Sequence, residues 1–213
     1  VVPGVTTNEL DKIMLDYIEN VEHAKSADLG YQGYPKATCI SINEVVCHGI
    51  PDNHKLKAGD IVNIDVTVLK DGYHGDSSRM YIVGGHTSPR NETLCKVTQE
   101  ALYAAIRTVR PGSNLTAIGD AIQKIADKAG FSIVRTYCGH GIGKEVHEDP
   151  EVPNWGKPGR GPRLVAGMTI CIEPMINVKG DDVRVLKDNW TVVTKSGSLS
   201  AHFEHMIAIT PDG

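Results

Sequence analysis

The sequence predicts an α+β fold in one compact domain made of two related halves. Three segments have the apolar spacing of amphipathic helices, and six others are short and rich in β-branched residues, as strands are. One sequence pattern also occurs twice, which indicates an internal duplication. Together these observations predict helices and strands mixed in a single layered domain.

Each predicted helix has a start or stop signal. The first begins at the capping-box sequence from Thr6 to Glu9 and is expected to run to Val21. Ser88-Pro89 opens the second helix, and Gly130 ends the third. The apolar positions are Leu10, Ile13, Met14, Tyr17, Ile18 and Val21 in the first helix, Leu94, Val97, Ala101, Ala105 and Val109 in the second, and Ile118, Ile122, Ile125 and Ala129 in the third.

The predicted strands lie in segments with many β-branched residues. They are residues 37–46, 61–69, 80–83, 168–178, 191–194 and 203–209.

The duplication is seen in the pattern Leu-x-Ala-Gly-x4-Ile-acid, which occurs at residues 56–65 and again at residues 164–173. A His-Gly-Ile triplet precedes each copy, at residues 48–50 and 140–142. Two elements repeated in the same order are improbable by chance. We therefore expect two halves, roughly residues 1–85 and 86–213, related by a pseudo-two-fold axis.

Asp65 lies in an apolar strand, where a carboxylate is costly unless its charge is compensated. Asp71-Gly72 predicts a two-residue hairpin turn, and such a turn places Asp65 opposite Ser78. Asp76 then becomes the diagonal neighbour of Asp65 on the same face of the sheet. A three-residue turn would instead put the two acids on opposite faces.

Two further acids also lie in apolar strands. Glu173 holds the position equivalent to Asp65 in the second copy, and Glu204 lies in the last strand. For one acid alone, a buried and hydrogen-bonded carboxylate is the commoner case. Four converging acids would repel one another, whereas two divalent cations would balance their charge. His140 is a candidate fifth ligand, because its flanking glycines predict a loop in which the imidazole is accessible. Such a donor set suits Mn, Fe, Co or Zn.

Bulk properties exclude several classes of protein. The net charge is -4 and the pI about 6.1, so no broad basic surface for nucleic acid is expected. No apolar run approaches the ~20 residues that span a membrane. Five cysteines without any CxxC pair favour a reducing cytoplasm. The chain begins at Val1, and we expect that further residues precede it.

Several motifs resemble those of one known family. They are residues 137–143 followed by His147 and 152–155, residues 47–49, 63–67, 74–76 and 172–174, and Phe203-Glu204-His205. The sequence is thereby similar, over essentially its whole length, to the type I methionine aminopeptidases. The resemblance implies the pita-bread fold, in which two pseudo-symmetric halves share a curved antiparallel sheet covered by helices.

The resemblance also implies a function and a site. A water bridging two metal ions would attack the first peptide bond and release the N-terminal methionine of nascent proteins and peptides. The implied metal ligands are Asp65, Asp76, His140, Glu173 and Glu204. Glu173 would also shuttle a proton, and His48 and His147 would hydrogen-bond the substrate and the tetrahedral intermediate. The implied methionine pocket consists of Tyr31, Tyr34, Cys39, His48 and Trp190.

The expected partners are peptide N-termini and the ribosome, without membrane or sequence-specific nucleic acid, and a monomer is expected. Two departures from the family pattern, Val146 and His202, bear on the shape of the pocket.

Two other functions are compatible with the same residues. One is a prolidase or aminopeptidase P type enzyme acting on X-Pro substrates. The other is a binding module that has lost catalysis, although the sequence retains all five expected ligands.

Overall fold

The structure is a computed structural model that describes all residues from 1 to 213. Its helices are α1 (Thr7–Asp16), α2 (Pro89–Ile106) and α3 (Thr116–Ala129). Its strands are β1 (Lys25–Ser26), β2 (Cys39–Ile42), β3 (Val45–Cys47), β4 (Ile61–Lys70), β5 (Tyr73–Ile82), β6 (Ser132–Ile133), β7 (Gly139–Gly141), β8 (Glu148–Val152), β9 (Thr169–Ile172), β10 (Met175–Asn177), β11 (Val183–Val185), β12 (Val192–Thr194), β13 (Ser200–His202) and β14 (Glu204–Ala208). The predicted mixture of helices and strands is confirmed. No helix has the length and apolar character needed to cross a membrane.

The predicted helix signals act as expected. At the start of α1, the Thr6 hydroxyl accepts a hydrogen bond from the Glu9 N–H at 3.2 Å, and the Glu9 carboxylate accepts one from the Thr6 N–H at 2.8 Å. At the start of α2 the Ser88 hydroxyl accepts a hydrogen bond from the Asn91 N–H at 3.3 Å, and Pro89 is the first helical residue. Gly130 ends α3 with φ at 72°. Local sequence therefore determines these helix ends.

The first helix departs from the prediction near its end. The α-helix stops at Asp16 and continues as a single π-helical turn, Tyr17–Val21. Leu10 and Ile18 are buried, but Ile13 is 62% exposed. Fewer of the apolar positions in this helix are buried than its spacing predicts. The reason is that α1 packs only on a small hydrophobic cluster formed mainly with residues of β2 and β4.

The strands form three antiparallel sheets. The largest has the order β1-β4-β5-β14-β9-β7-β8, with β2 also paired to β4. The two smaller sheets have the orders β13-β10-β6 and β11-β12-β3. All six predicted strand segments contain strands, although most of those segments are divided or extended. Six strands were not predicted: β1, β6, β7, β8, β11 and β13.

The β4–β5 hairpin has the predicted register. Asp71 and Gly72 form a two-residue turn in which both have positive φ, at 53° and 83°. Asp65 pairs with Ser78, and Asp76 pairs with Thr67. The two acids are therefore diagonal neighbours on one face, as the Asp-Gly turn predicts.

The large sheet is pseudo-symmetric about the junction between β5 and β14. On one side of this junction lie β5, β4 and β2, and on the other side lie β14, β9 and β7. The acids of the sequence repeat occupy matching places, since Asp65 lies in β4 and Glu173 directly follows β9.

Backbone contacts repeat as well. The Gly4 N–H donates to the Leu56 carbonyl at 2.7 Å, and the Gly112 N–H donates to the Leu164 carbonyl at 2.7 Å. Leu56 and Leu164 each begin one copy of the repeated pattern. The two halves thus share local geometry, while a division at residue 85 stays a prediction.

The main core lies between the large sheet and helices α2 and α3. Ile118 and Ile122 on α3 are fully buried, and burial stabilises each by about 1.5–3 kcal/mol. Gly119 lies on the same helix, where a Cβ would come within 2.6 Å of the Pro153 carbonyl oxygen. Helix α3 therefore packs directly against the backbone after β8 and supports the β7–β8 hairpin from behind.

Candidate metal centre and substrate cavity

The five predicted metal ligands converge on one cavity. They come from β4, β5, β7, the residue after β9 and the start of β14, which are neighbours in the large sheet. The cavity has a volume of about 390 Å³. It is lined by all five side chains: Asp65, Asp76, His140, Glu173 and Glu204.

His140 lies in strand β7 and not in the loop expected from the sequence. It is buried, with 8% exposure. A Cβ on Gly139 would lie 2.2 Å from the Cys171 carbonyl oxygen, and one on Gly141 would lie 2.2 Å from that of Asp149. These glycines allow neighbouring strands to approach, and they do not make the imidazole accessible as we had expected.

The imidazole of His140 is oriented by its own strand. Its Nδ1 lies 2.8 Å from the Gly141 carbonyl oxygen, and a carbonyl only accepts hydrogen bonds. We therefore assign the ring proton to Nδ1, which leaves a lone pair on Nε2. Nε2 faces the carboxylates of Glu173 at 3.6 Å and Asp76 at 3.9 Å. Burial lowers the pKa of His140, which favours the neutral ring.

The protein supplies no lysine or arginine to balance the negative charge of the four acids. Burial raises the pKa of Asp65, Glu173 and Glu204 well above the ordinary values, and the negative charge of Asp76 adds to each shift. Burial also raises the pKa of Asp76 to about 6. Asp65 Oδ1 is buried without a hydrogen-bond partner. No lysine or arginine forms an ion pair with any of the four acids.

The chemistry of these side chains suits the binding of divalent cations. Four carboxylates and one imidazole lone pair are hard to borderline donors that point into the same space. A cation there would satisfy the orphaned Asp65 oxygen and offset the burial that raises the pKa of all four acids, together with the charge repulsion that adds to the shift for Asp65, Glu173 and Glu204.

The predicted methionine-pocket residues line the same cavity: Tyr31, Tyr34, Cys39, His48 and Trp190. The Tyr34 ring meets the Trp190 ring edge to face, with centroids 5.0 Å apart. Tyr34 is 2% exposed, and its hydroxyl donates to the Gly49 carbonyl at 2.9 Å. A rigid wall of aromatic rings therefore borders the acids.

Two further histidines, His48 and His147, line the same cavity. Burial lowers the pKa of His48, and burial followed by the charge of His140 lowers the pKa of His147 to about 4. His147 Nδ1 lies 2.8 Å from the Tyr31 hydroxyl, and its ring centroid is 4.4 Å from that of His140. His48 has φ at 55°, an unusual conformation for a non-glycine residue. The lowered pKa values favour the neutral form of both histidines, in which each ring can donate one N–H.

Residues 1–211 of the chain match metallopeptidase family M24. The chain belongs to this family. A protein of Escherichia coli K12, a methionine aminopeptidase, is 59% identical over 99% of this chain and 80% of its own length. The crystal structure of methionine aminopeptidase from Rickettsia prowazekii superposes with a TM-score of 0.97 at 50% identity, covering 100% of this chain and 86% of that one.

The same fold also occurs in a protein of low sequence identity. Prolidase from Pyrococcus furiosus has a TM-score of 0.77 at 21% identity, covering 100% of this chain and 55% of that one, which shows a shared fold alone. The predicted pita-bread fold with two pseudo-symmetric halves is confirmed by these structures.

A cysteine beside the cavity was not predicted as a site residue from the sequence. Cys171, in β9, places its sulfur within 4.8 Å of ligand atoms of Asp76, His140 and Glu204. Asp65 and Glu173 lie outside that tight group but line the same cavity. The available signal was spacing, because Cys171 stands two residues before Glu173 and shares its face of the strand. Burial raises the pKa of the Cys171 thiol.

The two departures noted in the sequence both lie at or beside the cavity. Val146 lines the cavity. His202 is buried, and its Nε2 lies 3.8 Å from Glu173 Oε2. Neither ring nitrogen of His202 has a hydrogen-bond partner, and burial lowers its pKa to about 3.

Proposed function

We propose that this chain removes the N-terminal methionine from peptides and nascent proteins in a metal-dependent hydrolysis. The observation that carries the proposal is the convergence of four buried acids and the free His140 Nε2 beside an aromatic pocket. The similarity to the methionine aminopeptidase of Escherichia coli supports the same substrate.

The proposed metal ligands are the four acids and the imidazole: Asp65, Asp76, His140, Glu173 and Glu204. We propose that they hold two divalent ions of Mn, Fe, Co or Zn. When bound, such ions balance the buried negative charge and supply the Lewis acidity that makes water reactive at neutral pH.

The protein's own groups then have separate tasks. Glu173 is proposed to move the proton of the hydrolytic water, because it lies in the centre of the site beside His140 and His202. His48 and His147 are proposed to donate their ring N–H to the substrate carbonyl as negative charge develops there. Their depressed pKa values keep them from competing for the proton.

The proposed pocket for the methionine side chain is the aromatic wall of Tyr31, Tyr34 and Trp190 with Cys39 and His48. A thioether is polarisable and packs well against aromatic rings. We propose that the pocket selects methionine by these contacts and by its size.

We also propose that the enzyme works as a monomeric single domain in the cytoplasm, on N-termini that emerge from the ribosome. All five cysteines are free, which is typical of proteins in a reducing compartment.

The test compares hydrolysis of Met-Ala-Ser and Ala-Pro-Ser with added Mn or Co. We expect cleavage of Met-Ala-Ser, its loss after chelation, and its return with metal. Preference for Ala-Pro-Ser would indicate an X-Pro peptidase. Absence of both metal-dependent cleavage and thermal stabilisation by metal would indicate a non-catalytic binding module.

A further inference from the structure

Asp28 is an acid of the cavity that has no role in the proposed chemistry. It lines the cavity together with the aromatic pocket and with the predicted ligands. Asp28 lies in a polar segment and not in an apolar strand, so no sequence pattern points to it.

The backbone directs Asp28 toward the site. Strand β1 pairs with β4, and the Ala27 N–H extends this pairing by donating to the Thr67 carbonyl at 2.9 Å. The Asp28 carbonyl in turn accepts from the Tyr31 N–H at 2.9 Å, which begins the loop that carries Tyr31 and Tyr34. Asp28 therefore lies at the junction between the aromatic wall and the acid-bearing strand.

The Asp28 carboxylate is weakly satisfied by the protein. It accepts the Thr67 N–H at 3.4 Å, a long hydrogen bond. The Thr67 hydroxyl donates to Asp76 at 3.1 Å. Asp28 forms no ion pair with any lysine, arginine or histidine.

A half-buried acid without a cationic partner is costly to keep ionised. Burial, followed by the negative charge of Asp76, raises the pKa of Asp28 to about 7. A cationic group placed in the cavity would offset both effects by supplying an opposite charge.

We propose that Asp28 is a specificity-determining residue whose carboxylate accepts a hydrogen bond from an ammonium group on the first residue of the substrate. The inference rests on the proposed function, because it assumes a peptide N-terminus in this cavity. Two ammonium groups fit the chemistry: the α-ammonium that every free N-terminus carries, or the side-chain ammonium of a first-position lysine.

The experiment replaces Asp28 by Asn, which keeps the shape and an acceptor for the Thr67 N–H but removes the charge. Asp71→Asn is the matched control, since it removes the same charge at an exposed turn where Asn tolerates the positive φ. Asp28→Glu restores a carboxylate. All variants are compared by thermal unfolding and by kcat and KM with Met-Ala-Ser and Lys-Ala-Ser.

If the α-ammonium is bound, Asp28→Asn raises KM for Met-Ala-Ser about ten-fold with a much smaller change in kcat, as expected for loss of one charge-assisted hydrogen bond. Asp28→Glu then recovers part of the loss. If the lysine side chain is bound, the wild type cleaves Lys-Ala-Ser, Asp28→Asn loses that activity, and KM for Met-Ala-Ser is unchanged.

A binding measurement separates this inference from the proposed function. Methioninamide carries the α-ammonium and N-acetylmethioninamide lacks it, while lysinamide carries both groups. If Asp28 binds either ammonium, Asp28→Asn reduces the thermal stabilisation by methioninamide or by lysinamide, whether or not any peptide is cleaved. Wild-type enzyme inactive on methionine peptides would contradict only the proposed function. Kinetics and thermal shifts of Asp28→Asn that match those of Asp71→Asn would overturn the role of Asp28.

Discussion

The two His-Gly-Ile triplets have the same sequence, yet their histidines face different groups. His140 lies in β7, which pairs with β9 and holds Nε2 3.6 Å from Glu173. His48 follows β3, which pairs with β12 in another sheet, and its ring lies 6.2 Å from that of Trp190. One histidine is therefore held beside the acids and the other beside the aromatic wall.

The difference arises from the chain between each triplet and its acid. This segment is longer in the second half, where it includes β8 and allows β7 to enter the large sheet. In the first half the corresponding place beside the acid strand is taken by β2, which lies before the triplet. Identical local motifs thus acquire different roles through the strands that surround them.

The largest expected effect comes from Glu173, the second-half counterpart of Asp65. Replacing Glu173 by Gln removes a proposed ligand charge and a proton carrier, and we expect kcat to fall by at least ~100-fold. Steady-state kinetics with Met-Ala-Ser measure this, with thermal unfolding as the control for folding. Near-normal turnover would contradict the proposed role of Glu173.

The paired variants His140→Ala and His48→Ala test the comparison directly. His140→Ala should weaken metal binding at one site, because it removes the Nε2 donor. His48→Ala should keep its metal content but lose about 10²-fold or more in kcat/KM, since it removes a proposed hydrogen-bond donor. Metal titration with Mn or Co and kinetics distinguish the two. If both variants lose metal equally, the two histidines do not have separate roles.

Replacing the glycine of either triplet should destabilise the protein, although the two histidines face different groups. A Cβ on Gly49 would lie 2.3 Å from the Ile40 carbonyl oxygen, and one on Gly141 would lie 2.2 Å from that of Asp149. We expect Gly→Ala at either position to lower the free energy of unfolding by about 1–3 kcal/mol. Gly75→Ala is the matched control, because its Cβ would meet only Val68 at 3.7 Å. Chemical denaturation measures all three, and stable variants at residues 49 and 141 would show that these strands are free to separate.

The smallest expected effect concerns the N-terminal capping of the helices in the two halves. Helix α1 has a capping box, whereas α3 has no side-chain cap at its N-terminus. Hydrogen bonds from Thr6 lower the pKa of Glu9, so its ionised form stabilises the folded state above pH 4.5, and this contribution is lost as the pH falls through its lowered folded-state value.

Glu9→Gln should therefore melt at a slightly lower temperature than the wild type at pH 7, with the difference shrinking as the pH is lowered below 4.5. Glu19→Gln, another exposed acid, controls for loss of charge. A difference in melting temperature that does not depend on pH would exclude the ionised capping box as its cause.

Much of the fold was predictable because its signals are local. The Asp71-Gly72 turn alone predicts the register that places Asp65 and Asp76 on one face, and this register is observed. The repeat correctly predicted two pseudo-symmetric halves, and a boundary between them at residue 85 stays a prediction. Strands β7 and β8 were missed because they contain glycines and charged residues and lack an apolar pattern.

The sequence by itself determined that Asp65 and Glu204 lie in apolar strands, where α1 and α2 begin, where α3 ends and how the β4–β5 hairpin is registered, whereas Glu173, expected in a strand, directly follows β9. These features depend on residues only a few positions apart. The motif resemblance already implied separate roles for His140 and His48, but the tertiary structure alone decided that Cys171 and Asp28 lie beside the same cavity. Such proximity depends on strand pairing between residues far apart in the chain, and no local pattern encodes it.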